Sequence, residues 1–226
     1  MQVIAIDGPA GAGKSTIARA LAARLGVHYL DTGAMYRAVT LAALRRRVLL
    51  TDREAVGDVA RTVLLELESS GDASDLTVLV DGVDSTMEIR TPEIDRSVSV
   101  VAANSLVREE LRRRQREWAE LHGGGVIEGR DIGSVVFPDA RLKLYLTASA
   151  RTRAERRVGE AGGDVDATEA AIAARDLYDS TRADSPLTER GAVVVDTTGL
   201  AVAEVLDRID ELLGEHEPSG PPGDRP

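Results

Sequence analysis

Gln2-Val3-Ile4-Ala5-Ile6-Asp7-Gly8-Pro9-Ala10-Gly11-Ala12-Gly13-Lys14-Ser15-Thr16 decides the fold. Gln2 to Asp7 is an apolar run of strand type, and Gly8 to Ser15 matches GxxxxGK[ST] where a strand hands over to a helix. Glycines let such a loop fold back so that successive backbone N–H groups point inward, and the following helix adds the positive end of its dipole. In this setting Gly8, Pro9, Ala10, Gly11, Ala12, Gly13, Lys14, Ser15 and Thr16 form a phosphate cradle. Lys14 is placed to reach the β/γ-phosphates and Ser15 to hold Mg²⁺. The stretch therefore predicts binding of a nucleoside triphosphate.

Outward from the loop the chain alternates. A helix is expected over 14–25, with Ile17, Leu21 and Leu25 on one face and Gly26 ending it. Val27–Asp31 reads as a strand, and Thr32 as the cap of a helix through Met35, Tyr36, Val39 and Leu41 to Arg45-Arg46-Arg47. Further core strands are expected at 125–128, 142–146 and 192–196, each followed by a helix-compatible segment. The pattern implies an α/β P-loop NTPase with a five-stranded parallel sheet flanked by helices.

Residues 48–104 break the rhythm. Thr62–Leu67 and Leu76–Val80 look like strands, the second followed by the hairpin dipeptide Asp81-Gly82, so an inserted α+β lobe is expected over about 38–104. A single long helix is expected from near Val98 to Leu121, with Val100, Val107, Leu111 and Trp118 as its apolar stripe. Glu109 and Glu110 precede Arg113 and Arg114 by four, which makes Arg112–Arg116 a solvated, paired face. The core is then 1–37 and 105–216, and the Pro- and Gly-rich 217–226 is expected to be a disordered tail.

Composition narrows the function. A formal net charge of −10 argues against a general nucleic-acid binder. With no cysteine and only three scattered histidines, a thiolate or zinc centre is not expected, and any metal should arrive with the nucleotide. No apolar run approaches a membrane span and no charged leader opens the chain, so a cytoplasmic, soluble monomer is expected. Asn104 is the sole asparagine and is followed by Ser105, which removes the NKxD guanine reader of GTPases. No motor motif accompanies the loop.

Three arginine-bearing segments remain: Asp31-Thr32-Gly33-Ala34-Met35-Tyr36-Arg37, Glu128-Gly129-Arg130-Asp131-Ile132-Gly133, and Arg175-Asp176-Leu177-Tyr178-Asp179-Ser180-Thr181-Arg182. The first two follow expected parallel strands, whose carboxyl ends line the ligand crevice of an open α/β sheet. With these segments, with the continuation to Ala140 and with Arg182-Ala183-Asp184-Ser185-Pro186-Leu187, the sequence resembles the bacterial cytidylate kinases from Val3 to about Leu213. Glu88-Ile89-Arg90-Thr91 matches the enlarged monophosphate-binding lobe of that family.

The resemblance implies ATP and Mg²⁺ as cofactors and CMP and dCMP as acceptors. It implies that Arg37, Arg130 and Arg182 hold the CMP phosphate together with Thr32, that Ser99, Arg108 and Asp131 read cytosine, and that Arg175 and Asp179 contact the sugar. Asp131 suits the base, since a carboxylate accepts from cytosine N4 whereas uracil presents a carbonyl there. An internal ion pair with an arginine is the competing role for Asp131 and for Asp179. A short lid is expected at about 157–168, with Arg153 and Arg157, four residues apart, facing the donor phosphates and Arg157 joining Lys14, Arg130 and Arg182 in catalysis. The alternative for each lid arginine is pairing with Glu155 or Glu160. Thr32 stands where serine is also common in the family, and Glu128 is a candidate for holding Mg²⁺ through water. A kinase for another small acceptor and a nucleotide-dependent binding module are the competing functions.

Overall fold

The structure, a computed structural model, describes residues 1–69, 76–181 and 187–215. Strands β1 (Gln2–Asp7), β2 (Tyr29–Asp31), β6 (Gly124–Glu128), β7 (Leu142–Thr147) and β8 (Val193–Asp196) form one sheet in the order β2-β6-β1-β7-β8. All its pairings are parallel. Central β1 splits its side chains between two apolar layers. Val3 and Ala5 pack on one face with Leu30 and Ile127, while Ile4 and Ile6 pack on the other with Tyr29 and Val126. Burial on both faces explains why the strand sequences run apolar without strict alternation.

One face is covered by α1 (Lys14–Leu25) and α8 (Val202–Glu215), the other by α2 (Thr32–Arg45), α3 (Arg53–Thr62), α4 (Pro92–Ala102) and α5 (Ser105–Leu121). A second, antiparallel sheet of β3 (Leu65–Ser69), β4 (Leu76–Val80) and β5 (Val83–Asp84) follows α3. Asp81 and Gly82 turn the β4–β5 hairpin with φ of 52° and 78°. Val56, Val78, Val80, Ile94 and Val101 from this region join the same apolar layer as Val3 and Ile127. The insert is thus seated on the sheet through a shared core. α6 (Ala150–Ala161) and α7 (Val165–Ser180) form a helical hairpin after β7.

Several expectations are corrected. The single helix over 98–121 is two, because Asn104 ends α4 and caps α5: its Oδ1 accepts from Leu106 N–H at 3.0 Å and its Nδ2 donates to the Arg53 carbonyl at 2.9 Å. Val100 is exposed rather than part of the stripe, and so is Leu25 on α1. Residues 53–62 are helical, so the strand expected from Thr62 starts at Leu65. α2 runs without a break through residue 38 to Arg45. Asp31, not Thr32, caps α2, accepting from Ala34 N–H at 2.9 Å. Arg114 pairs with Glu110 four residues before it, as expected, and also donates to the Ala60 and Val63 carbonyls; Arg113 pairs with Glu110 and Glu117, and Arg116 donates to the carbonyls of Val135 and Val136. The 217–226 tail lies outside the described residues.

Candidate active site

The loop after β1 bends where only glycine fits: at Gly8 (φ 148°) a Cβ would stand 2.1 Å from the Leu146 carbonyl oxygen of β7. The bend brings Gly13 to the start of α1 in the left-handed conformation, with no side chain capping the helix. The first-turn N–H groups of α1 are therefore left for a ligand. Residues Gly11–Ile17 line a cavity of about 870 Å³. Lys14 turns its Nζ back onto the Pro9 carbonyl at 2.8 Å. Burial, with Arg130 adding repulsion, lowers its ammonium to about 8 from the usual 10.5. A cation so placed is stabilised by any anion that enters.

Beside the loop lies a carboxylate group that the sequence identified only through Glu128. Glu128 ends β6, buried, and accepts from the Tyr29 hydroxyl and from Ser15. Burial first, and then Asp31, pushes its carboxyl up to about 7. Ser15, Tyr29 and Asp31 all line the cavity. A hydroxyl beside two carboxylates, Glu128 and Asp31, suits a hard divalent cation, which prefers oxygen ligands. The residues present thus fit Mg²⁺. Thr32 does not point its proton outward; its Oγ1 donates to the Glu128 carbonyl at 2.7 Å.

A second cationic group gathers beside the first. Arg37 comes from α2, Arg130 from the turn after β6, and Arg175 from α7. Arg130 is paired with Asp179, and Arg37 with Asp95 of α4. Burial, and then Arg130 and Arg37, lower the Arg175 guanidinium to about 10, while Asp179 and Asp95 oppose the shift. Its Nε is buried with no hydrogen-bond partner among the described residues. Arg130 and Arg175 are close enough to lower Lys14 as well. The second group thus stands within electrostatic reach of Lys14, with Arg37 on the cavity lining and Arg130 and Arg175 off it. Arg182 lies outside the described residues.

Arg108 and Asp131 meet, 2% and 5% exposed, with Arg108 Nη2 donating to Asp131 Oδ2 at 2.5 Å. Arg112 Nε is 3.7 Å from the same oxygen, and the Arg108 guanidinium lies 5.8 Å from the Tyr36 ring centre. Ser99 is half-buried on α4, one turn before Ala102, whose carbonyl accepts from Arg108 at 3.2 Å. The internal ion pair anticipated as the competing role for Asp131 is therefore present, as it is for Asp179. None of Ser99, Arg108 and Asp131 lines the cavity described above.

Sequence reasoning missed Asp7. Its carboxylate accepts from the Ile132 and Gly133 N–H groups at 2.8 Å each, fixing the turn that carries Arg130 and Asp131. Burial raises it to about 6. The available signal was a carboxylate ending an otherwise apolar strand.

The hairpin of α6 and α7 sets the two arginines of the expected lid in different surroundings. Arg153 is 7% exposed and turned behind the loop, donating to the Ala148 carbonyl at 3.0 Å, the Ala10 carbonyl at 3.1 Å and Asp176 at 2.6 Å. It braces the cradle from outside. Arg157 does line the cavity, but its companion there is Arg156, which donates to Thr197 Oγ1 at 3.0 Å and to the Thr197 carbonyl at 2.8 Å. Gly159–Ala161, within the segment expected to form the lid, belong to α6, and Gly162 caps that helix.

Comparison with known proteins gives one consistent answer. The family described as cytidylate kinase matches residues 4–215. A cytidylate kinase of Desulfitobacterium hafniense is 48% identical over 223 residues, covering 96% of this chain and 94% of its own length. One of Desulforamulus reducens is 50% identical over 212 residues, with 91% and 94% covered. Among solved structures, an uncharacterized protein from Eubacterium ventriosum superposes with a TM-score of 0.53 at 13% identity over 95% of this chain and 99% of its own. That likeness concerns the fold alone.

Proposed function

The chain belongs to the cytidylate kinase family of nucleoside monophosphate kinases, and on that premise we propose that it transfers the γ-phosphoryl group of ATP to CMP and dCMP with Mg²⁺. The observation that carries the reading is a second cationic group within electrostatic reach of Lys14. Lys14 and the uncapped start of α1 suit the donor phosphates, and Arg37, Arg130 and Arg175 suit a second anion. A module that only bound ATP has no use for the second group.

The acceptor is an ionised phosphate, so no general base is required. An acceptor oxygen attacks the γ-phosphorus, the bond from that phosphorus to the β,γ-bridging oxygen breaks, and ADP leaves with the electron pair. What the protein supplies is alignment of two anions and stabilisation of charge on the equatorial oxygens. Lys14 serves the donor side; Arg37 and Arg130, with Arg182, serve the acceptor phosphate; Arg157 approaches from α6. Ser15, with Glu128 and Asp31 close by, would hold Mg²⁺, which would offset the charge of the donor phosphates. Asp131, held by Arg108 and by the turn that Asp7 fixes, supplies the acceptor for cytosine N4 when the base displaces part of the ion pair.

No helix among the described residues is long and apolar enough to cross a membrane. A monomer acting in the cytoplasm on free nucleotides is part of the proposal. The test is ADP formation from ATP and Mg²⁺ with CMP, dCMP, UMP, AMP or GMP against an acceptor-free blank. CMP and dCMP should dominate. Preference for another nucleotide would overturn the roles given to Ser99, Arg108 and Asp131, and absence of acceptor-dependent turnover would overturn the reaction.

A further inference from the structure

Asp95 carries a carboxylate that phosphoryl transfer does not use. It stands in the first turn of α4, where an acidic side chain complements the helix dipole. Exposed Glu93, in the same turn, already does this from the solvent side. Asp95 instead faces the cavity and divides its oxygens between two helices: Oδ1 pairs with Arg37 of α2 and Oδ2 accepts from Arg157 of α6. The three side chains are 22%, 21% and 37% exposed, so the contacts are only partly screened. Arg175 also lies within its field. Among the described residues Asp95 Oδ1 is buried without a well-aligned hydrogen bond and is held by the charge of Arg37. Two guanidinium groups converging on anionic oxygens is the arrangement that a phosphate would take there.

We infer that Asp95 is a specificity-determining residue: its carboxylate fills the acceptor-phosphate position between Arg37 and Arg157, and only an acceptor bearing a phosphate displaces it. The inference rests on the proposal that Arg37 receives the acceptor phosphate. Until that anion arrives, Arg157 is tied to the insert and is withheld from the donor phosphates. When a phosphate takes Arg37, repulsion between the two anions drives Asp95 off and frees Arg157 for the transferring group. Affinity for the acceptor is lowered by the cost of this displacement, and transfer to water is restrained while no acceptor is bound. A nucleoside without phosphate cannot work the exchange.

The test is Asp95→Asn, which removes the charge and keeps the size, with Asp95→Ser as a second variant lacking any competing acceptor of similar reach. Both variants should bind CMP about three- to tenfold more tightly by calorimetry, with a gain that shrinks as salt rises. Acceptor-free ATP hydrolysis should rise, and the change in kcat/KM for CMP should come through KM. Cytidine should leave ATP hydrolysis unaltered in the wild-type protein. Inorganic phosphate should protect the variants against thermal unfolding at lower concentration than the wild type, a readout that needs no turnover. Unchanged or weaker binding of CMP and phosphate by both variants would overturn the inference. Failure of the wild-type protein to phosphorylate CMP would instead overturn the functional reading, and phosphate protection would then decide the place of Asp95 by itself.

Discussion

The Tyr29 hydroxyl donates to the Glu128 carboxylate beside Ser15, so an aromatic side chain from the edge strand β2 favours the charged form of a carboxylate that burial and Asp31 push up. Tyr29 is itself held protonated, its pKa raised by burial and then by the charge of Glu128. Tyr29→Phe removes the donor and leaves a buried carboxylate less satisfied. The expected outcome is a loss of about 1–3 kcal/mol of stability, read by urea unfolding without nucleotide. A loss below about 0.3 kcal/mol would show that water replaces the hydroxyl freely.

Stability of the nucleotide-free protein should depend on pH in a specific way. Burial raises Asp7 from 3.8 to about 6 and Glu128 from 4.5 to about 7, so the folded state takes up protons that the unfolded chain releases. Their contribution is fully present below about pH 4 and is lost as pH rises through 6 and then 7. Lys14, lowered from 10.5 to about 8, contributes stability above 10.5 that is lost as pH falls through 8. Unfolding free energy should therefore dip between about pH 7 and 8. Glu128→Gln should flatten the acid side of the dip, as measured by denaturant titrations at successive pH values.

Lys14→Ala should lower kcat by about 10²- to 10³-fold, because it removes a charge that acts in a low-dielectric site on the transferring group. The fold should persist, since Lys14 gives up only its bond to the Pro9 carbonyl. Steady-state kinetics with circular dichroism on the same sample checks both halves. Undiminished turnover would sink the phosphate-cradle assignment.

Asn104→Ala should cost about 1–2 kcal/mol, the usual loss for an N-cap, with the bond to the Arg53 carbonyl going as well. Thermal unfolding measures this. Hydrogen exchange should show the change concentrated in α3, α4 and the start of α5.

What could be read from the sequence follows from what acts locally. The cradle was legible because its glycines and Lys14 follow one another at fixed spacing in a short stretch, although the atom that crowds Gly8 is the Leu146 carbonyl of β7. The parallel sheet was legible because both faces of β1 and β6 are buried, which leaves apolar runs. Asn104 was noticed only for the motif it failed to complete, and its capping role depends on Leu106 and on a carbonyl 51 positions away. Arg153 and Arg157 share a spacing but not a role, because Asp176 arrives from α7 to claim one and Asp95 from α4 to claim the other. Asp7 meets its partners 125 and 126 residues later. Spacing along one element reveals none of these.

The scarcity of lysine makes the chain its own reporter. Lys14 sits in the cradle near pH 8 in basicity, and the chain's other lysine, Lys143, donates to the Pro138 carbonyl at 3.0 Å, away from the cavity. An amine-directed reagent thus meets one side-chain target that a nucleotide shields and one that it does not. The ratio of label on two peptides reads cradle occupancy in an untouched protein, with Lys143 as the internal standard.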